Sequence, residues 1–119
     1  RYQVTDQGAR EGNYLESSAT ALFIYTLAKA INKGYIGNEY IEPTQKAFDG
    51  MVKTFTRLEE DGSYTITNCC AVAGLGGDSK RYRDGSFEYY ISEPIIENDP
   101  KSVGSFILAA IEYEKMTKK

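Results

Sequence analysis

The feature that most constrains the fold is a pair of helix-forming segments that are apolar around most of their circumference. Residues 14–31 read YLESSATALFIYTLAKAI, and residues 100–116 read PKSVGSFILAAIEYEKM. A helix at the surface of a small bundle shows one apolar stripe, so apolar residues on nearly every side predict burial on most sides. Two such helices need more neighbours than 119 residues supply. We therefore expect partner helices outside this segment, in the same polypeptide or in another copy.

The flanking residues predict where these two helices begin and end. Asn13 is expected to be the N-cap of the first helix, with Glu16 completing a capping box and Gly34 following the last turn. The last helix is expected to begin at Asp99 and Pro100, because Asp is a favoured N-cap and Pro is tolerated at the first helical position.

Between these helices the sequence predicts one amphipathic helix and a turn-rich insert. The helix is expected over residues 38–57, with Asn38 as its N-cap and Pro43 near its first turn. In the insert, EDGSYTITN and RDGSFEYYI both place Asp-Gly before an aromatic or β-branched run, which predicts a turn followed by a strand. The two runs are expected to be hairpin arms that flank the glycine-rich loop AGLGG. The predicted fold class is all-α, with a short, glycine-rich, hairpin-like insert.

The residues of the insert argue against a metal, redox or phosphate site. Structural zinc needs four Cys or His ligands, whereas the chain has Cys69, Cys70 and no His. Adjacent cysteines are poorly placed for a disulfide, so both are predicted to be buried free thiols. The sequence GLGGDSKR lacks the Gly-Lys pair of a P-loop and the spacing of a dinucleotide-binding loop.

Charge and hydropathy exclude further classes. The chain has 14 basic and 17 acidic side chains and a formal net charge of −3, which is too balanced to predict nucleic-acid binding. No apolar run approaches the roughly 18–20 residues of a membrane span, so no membrane association is expected. The absence of His leaves carboxylates, Lys, Tyr or Cys for acid–base work, and no carboxylate stands out as a proton donor. The tyrosines and charges near residues 82–93 suit either a sugar-contacting surface or a structural loop.

Several blocks of the chain together resemble a known family. REGNYLESSATALFIYTLAKAINKGYI, CCAVAGLGG and YRDGSFEYYISEPIIENDPKSVGSFILAAIEYEK are similar to the C-terminal third of glycoside hydrolase family 105. These are bacterial unsaturated rhamnogalacturonyl hydrolases, relatives of the unsaturated glucuronyl hydrolases. The resemblance implies that residues 1–119 are the C-terminal segment of an (α/α)6 barrel. The segment would supply about three of its helices, in the order inner, outer, inner.

The resemblance also implies a reaction. The family removes 4,5-unsaturated galacturonic acid from the non-reducing end of oligosaccharides derived from the pectin component rhamnogalacturonan. An aspartic acid protonates the vinyl ether double bond, water adds at C5, and the opened ring releases the neighbouring sugar. No metal or organic cofactor is implied. The compartment, bacterial cytoplasm or periplasm, stays open.

The resemblance places the catalytic aspartates in the N-terminal portion of the family, which has no counterpart in these residues. We therefore expect no catalytic residue in this segment and no activity from it alone. Its expected contribution is a wall of the cleft for an unsaturated uronyl oligosaccharide, lined by Asp99, Lys101, Ser102, Arg83, Tyr89 and Tyr90. Two alternatives remain, a non-catalytic helical module that binds a sugar or partner, and another toroidal helical protein with different chemistry.

Overall fold

The two helices with apolar circumferences lie side by side at the centre of the structure. The computed structural model describes residues 1–119. Helix α1 spans Ser17–Asn32, α2 spans Ile41–Phe55 after a 3-10 turn at Asn38–Tyr40, α3 spans Phe87–Ser92, and α4 spans Pro100–Thr117. Helix α1 makes its most extensive contact with α4 and also packs against α2. The three long helices are those that the sequence predicts, and α3 is an addition.

Small residues let α1 and α4 approach closely. Ala21, Ala28 and Ala109 are fully buried between the helices, and the Ser17 and Ser102 hydroxyls lie 2.7 Å apart. A first apolar cluster joins α1, α2 and α4 through Ala21, Ile24, Met51, Phe55 and Ala109, and a second consists of Ala28, Ile31 and Met116. The core therefore lies along α1, which has neighbours on two sides.

The predicted helix ends are partly confirmed. Asp99 caps α4 by accepting a hydrogen bond from the Lys101 N–H, and Gly34 follows α1 with φ of +71°. The prediction that Asn13 caps α1 is wrong. The cap is Glu16, and the Asn13 side chain instead bridges the preceding loop through both N–H and C=O of Val4.

The second helix is shorter than predicted. Asn38 opens the 3-10 turn rather than capping an α-helix, and α2 ends at Phe55 because the next residues form a strand. Strand β1, Thr56–Leu58, pairs antiparallel with β2, Tyr64–Ile66. The turn between them has Asp61 accepting from the Ser63 N–H and hydroxyl, with Gly62 at φ of +85°. The first Asp-Gly turn is thus followed by a strand, as predicted.

The second Asp-Gly turn leads into a helix, so the predicted strand is wrong. Asp84 accepts from the Ser86 N–H, as Asp61 does from Ser63, but the Ser86 hydroxyl then accepts from the Tyr89 N–H and caps α3. The two turns also do not form one hairpin around the glycine loop. Strand β3, Cys69–Cys70, pairs instead with β4, Ile95–Ile96, and closes the base of the insert. The fold is therefore helix-rich with two small two-stranded sheets.

The outer faces of α1 and α4 are not covered by this chain. Phe23 on α1 is 58% exposed and Ile107 on α4 is 55% exposed, and Leu22, Leu108 and Ile111 are exposed beside them. The radius of gyration is 16.0 Å, against about 13.5 Å for a compact domain of this length. The accessible surface is 7538 Å², against about 6,500 Å² for a compact monomer of this mass. None of the helices has the length and apolar character to cross a membrane.

Candidate functional site

The first turns of α1 and α4 meet at one end of the structure. The contact between the Ser17 and Ser102 hydroxyls fixes the two helices at this end. The two N-caps, Glu16 and Asp99, therefore lie at the same edge of the molecule. The backbone N–H groups of a first helical turn lack intrahelical partners and favour negative charge. Here that negative charge is supplied by Glu16 and Asp99, whose carboxylates accept from the N–H groups of Ser18, Ala19 and Lys101.

A chain segment that begins with β3 crosses this edge and completes a cleft. The Cys70 N–H donates to Glu16 Oε1 at 3.2 Å, and the Lys101 ammonium donates to the Ala71 carbonyl oxygen at 3.0 Å. The resulting cleft has a volume of about 680 Å³. It is open to one side and mixes apolar and polar groups. Its lining consists of Arg1, Gln3, Val4, Glu16, Ser18, Ala19, Cys70, Ala71, Val72, Ala73, Tyr90 and Lys101.

Glu16 organises the inner end of the cleft. Its side chain is buried, and it accepts hydrogen bonds from the Ser18 N–H at 3.1 Å, the Ser18 hydroxyl at 2.6 Å and the Ala19 N–H at 2.9 Å. The bond from Cys70 adds a fourth donor. A carboxylate with four donors is fixed in place by its hydrogen bonds. Glu16 thus caps α1 and links β3 to α1 through the hydrogen bond from Cys70.

Lys101 supplies the cationic edge of the cleft. Its ammonium lies 2.8 Å from Asp99 Oδ1, and its side chain is 53% exposed. The hydrogen bond to Asp99 raises the pKa of Lys101, and hydrogen bonds from the Lys101 side chain and N–H lower the pKa of Asp99. The pair is therefore ionised at neutral pH. An ammonium has three donors, so one N–H of Lys101 stays free for a hydroxyl or carboxylate in the cleft.

The six predicted lining residues occupy four kinds of position. Lys101 and Tyr90 line the cleft, and Asp99 supports it by holding Lys101. Ser102 does not face it, because its hydroxyl is buried against Ser17 between the two helices.

The remaining two, Tyr89 and Arg83, lie behind the cleft wall rather than on it. The Tyr89 hydroxyl accepts from the Gly74 N–H at 3.1 Å, and Arg83 Nε lies 3.9 Å from the buried Glu93. A substrate-lining role for Lys101 and Tyr90 stays a prediction.

Sequence reasoning missed the contribution of the first residues of the chain. Tyr2 pairs with Leu15 as an isolated antiparallel bridge, and this brings Gln3 to the cleft, where its amide donates to Cys70 Sγ at 3.3 Å. This contact joins residues 67 positions apart. No local pattern in the sequence predicts this contact.

The two cysteines are buried free thiols, as predicted. Burial raises the pKa of Cys69, and burial and the neighbouring Cys70 thiol raise the pKa of Tyr14. The Cys69 thiol and the Tyr14 hydroxyl therefore stay protonated near neutral pH and are poor nucleophiles. No group of three or more Cys, Asp or Glu side chains is arranged to hold a metal ion.

Comparison with known proteins identifies the family. Residues 2–117 match the model of Glycosyl Hydrolase Family 88. A solved structure of a glycoside hydrolase from family 105 of C. acetobutylicum ATCC 824 is 46% identical and superposes with a TM-score of 0.91, over 95% of this chain and 31% of its own. The chain belongs to Glycosyl Hydrolase Family 88, and the resemblance to family 105 is confirmed.

Two curated relatives are also similar. Protein Atu3128 of Agrobacterium fabrum and the 24.9 kDa protein in picA locus of Rhizobium radiobacter are each 37% identical over 114 residues, which is 92% of this chain. The chain spans about half the length of these relatives, 49% in each case.

Proposed function

We propose that this member of Glycosyl Hydrolase Family 88 is the C-terminal segment of an enzyme that removes 4,5-unsaturated galacturonic acid from rhamnogalacturonan-derived oligosaccharides. In that enzyme α1, α2 and α4 are an inner, an outer and an inner helix of an (α/α)6 barrel. The observation that carries the proposal is the superposition, at 46% identity, on a glycoside hydrolase from family 105.

The uncovered helix faces support the place of this segment in a larger ring. Helices α1 and α4 leave Leu22, Phe23, Ile107, Leu108 and Ile111 exposed. Five large apolar side chains exposed on two adjacent helices support the expectation that these helices pack against other protein. Helix α2 lies on the other side of α1 and has a polar outer face, as an outer-ring helix requires.

The cleft supports a role in holding a sugar. Its lining includes the Lys101 ammonium, which donates to the Ala71 carbonyl oxygen, together with Tyr90 and residues 72–73. An aromatic face suits the apolar C–H face of a sugar ring, and an ammonium suits a carboxylate or hydroxyl. This is the chemistry that an unsaturated uronic acid presents.

The chain itself supplies no group for the proton transfer. The cleft carboxylate, Glu16, is committed to four donors. Asp99 is ionised beside Lys101, with a lowered pKa, and an acid catalyst needs a proton to give. The aspartic acid that protonates the vinyl ether is therefore assigned to residues outside this segment, and the 119-residue chain alone is expected to be inactive.

The proposal is tested with an unsaturated galacturonyl-rhamnose disaccharide and the ultraviolet absorbance of its double bond. We expect a polypeptide that contains this segment together with the rest of the barrel to consume the double bond, and the 119-residue chain to leave it intact. Turnover by the short chain would show that a catalytic group lies within it. Binding without turnover by the longer polypeptide would favour a non-catalytic binding module.

A further inference from the structure

The loop between β3 and α3 contributes part of the cleft wall and then turns away from the cleft. This flap, residues 72–86, begins after β3 and ends at α3. At its base the Ala71 N–H donates to the Pro94 carbonyl at 2.9 Å, and further out Gly76 and Arg83 exchange two backbone hydrogen bonds of 2.8 Å. At its tip Gly77 has φ of +126°, and a Cβ there would lie 2.4 Å from the Arg81 carbonyl oxygen. The flap is a narrow, tightly turned loop.

The returning limb of the flap rests on a buried carboxylate. The Glu93 side chain, just after α3, has no exposed surface. Its Oε1 accepts a hydrogen bond from Arg81 Nη2, and Arg83 Nε lies 3.9 Å from the same oxygen. Its second oxygen and Arg83 Nε are both enclosed without a hydrogen-bond partner. The two guanidinium groups are therefore the cations that compensate this buried charge.

This ion pair differs from the others in the chain. In every other ion pair the carboxylate side chain keeps at least 11% of its surface exposed. Exposed pairs contribute little, whereas removing one partner of a buried pair leaves an uncompensated group. Losing the buried pair between Glu93 and the flap should therefore free the flap, whereas losing one of the exposed pairs should have little effect.

The start of the flap, residues 72–74, belongs to the cleft wall or contacts it. Val72 and Ala73 line the cleft, and the next residue, Gly74, donates its N–H to the Tyr89 hydroxyl at 3.1 Å. Tyr90, the neighbour of Tyr89 on α3, lines the cleft as well. The position of the flap therefore sets the separation between residues 72–73 and the Tyr90 ring.

We propose that Glu93 is a positioning residue, which clamps the flap through Arg81 and Arg83 and thereby fixes the wall of the cleft against which a sugar binds. The clamp is inferred from the geometry of this chain, whereas the role of the cleft in binding a sugar rests on the function proposed above. Glu93 touches neither the cleft nor a reacting group, and it acts through the flap.

The clamp is tested by amide hydrogen exchange, measured by NMR on the 119-residue chain. Glu93→Gln keeps the shape of the side chain and removes its charge. We expect the Gly76 and Arg83 amides to exchange about tenfold faster or more, because the neutral amide leaves both guanidinium groups without their buried counter-charge. The matched control is Glu97→Gln, which breaks the exposed pair with Arg57 and should leave both amides unchanged. Unchanged exchange in folded Glu93→Gln would overturn the clamp.

A second variant tests the clamp even if Glu93→Gln does not fold. Arg81→Gln removes the hydrogen-bonded cation from the exposed side and leaves Glu93 beside Arg83. It should accelerate exchange at Gly76 and Arg83 in the same direction and by a smaller factor. No acceleration in Arg81→Gln, when Glu93→Gln does not fold, would refute the clamp.

The effect on the cleft is tested by kinetics in the longer polypeptide, with the unsaturated disaccharide as substrate. For Glu93→Gln we expect KM to rise about tenfold and kcat to stay within about twofold, because the wall binds substrate and transition state alike. A residue that only stabilises the fold would change neither value below the melting temperature. Faster exchange with unchanged KM would overturn the positioning role. If the wild-type polypeptide shows no turnover, the proposed function fails, and the exchange measurement still decides on the clamp.

Discussion

At the scale of single residues, the cleft depends on a carboxylate that performs structural work. Glu16 satisfies the first N–H groups of α1 and one N–H of β3 with a single buried side chain. The residues that favour N-caps are short, and a Glu at this position needs its longer side chain to reach the Cys70 N–H as well. Glu16 therefore couples a local capping requirement to a tertiary contact.

Replacing Glu16 tests this coupling. We expect Glu16→Ala to lower the free energy of unfolding by about 2–3 kcal/mol, since it removes the cap and leaves the buried Cys70 N–H without an acceptor. Glu16→Gln retains one acceptor oxygen and should lose less. Urea unfolding followed by circular dichroism measures both. The control, Glu114→Ala, removes an exposed carboxylate near the end of α4 and should stay within about 0.5 kcal/mol. Equal losses for Glu16→Ala and Glu114→Ala would contradict the buried role of Glu16.

At the scale of elements, the same three residues produce different structures in the two halves of the insert. Asp-Gly-Ser at residues 61–63 leads into strand β2, and Asp-Gly-Ser at residues 84–86 leads into helix α3. Both turns use the Asp side chain to accept from the Ser N–H. The difference lies in the partner. The end of α2 continues into β1 and offers a strand to pair with, whereas Ser86 faces no free strand and caps a helix.

Helix α4 carries a charge at its N-cap that makes its stability depend on pH. Hydrogen bonds from Lys101 lower the pKa of Asp99 in the folded state below its ordinary value of about 3.9. The stabilisation is therefore complete above that ordinary value and is lost as the pH falls through the lowered folded-state pKa. Asn caps helices as well as Asp does, without titrating.

The variant Asp99→Asn should thus be less stable than wild type at neutral pH, and the difference should stay constant down to about pH 4 and shrink as the pH falls further. The other carboxylates titrate in both proteins and cancel in the difference. Urea unfolding at a series of pH values measures it. A difference that does not change with pH would show that the Asp99 charge is not coupled to folding.

At the scale of the whole molecule, the distribution of exposed apolar residues bears on the proposal that this chain is part of a larger barrel. The core is built along α1, and the sides of α1 and α4 away from it carry large apolar residues in contact with solvent. In a finished domain such residues would be few and scattered. Here five of them lie on α1 and α4, the two helices that are proposed to belong to the inner ring.

One substitution measured in two contexts tests this view. In the 119-residue chain Ile107→Ala should change the free energy of unfolding by less than about 0.5 kcal/mol, because the side chain is mostly exposed. In the longer polypeptide the same change should cost about 2–5 kcal/mol, as for a buried side chain. Ile24→Ala is the control, since Ile24 is 1% exposed and should be costly in both contexts. A small effect of Ile107→Ala in both would place that face at a true surface.

The sequence by itself determined the three long helices, the N-cap at Asp99, the glycine that follows α1, the strand after the first Asp-Gly turn and the buried thiols. Each of these depends on interactions within a few residues, or on side-chain polarity alone. The resemblance of whole blocks added the family, which the comparisons confirm.

Only the tertiary structure decided how the cleft is assembled. Gln3, Glu16, Cys70 and Lys101 come from four separate stretches, and contacts between residues that are 30 to 67 positions apart bring them together. The same holds for Ser102, whose side chain was predicted to line the cleft and is buried against Ser17 instead. Capping and turn preferences are local energies, whereas the side of a helix that meets a neighbour is set by packing over its whole length. Local patterns therefore predict where helices begin and end, and the fold selects which residues line the cleft.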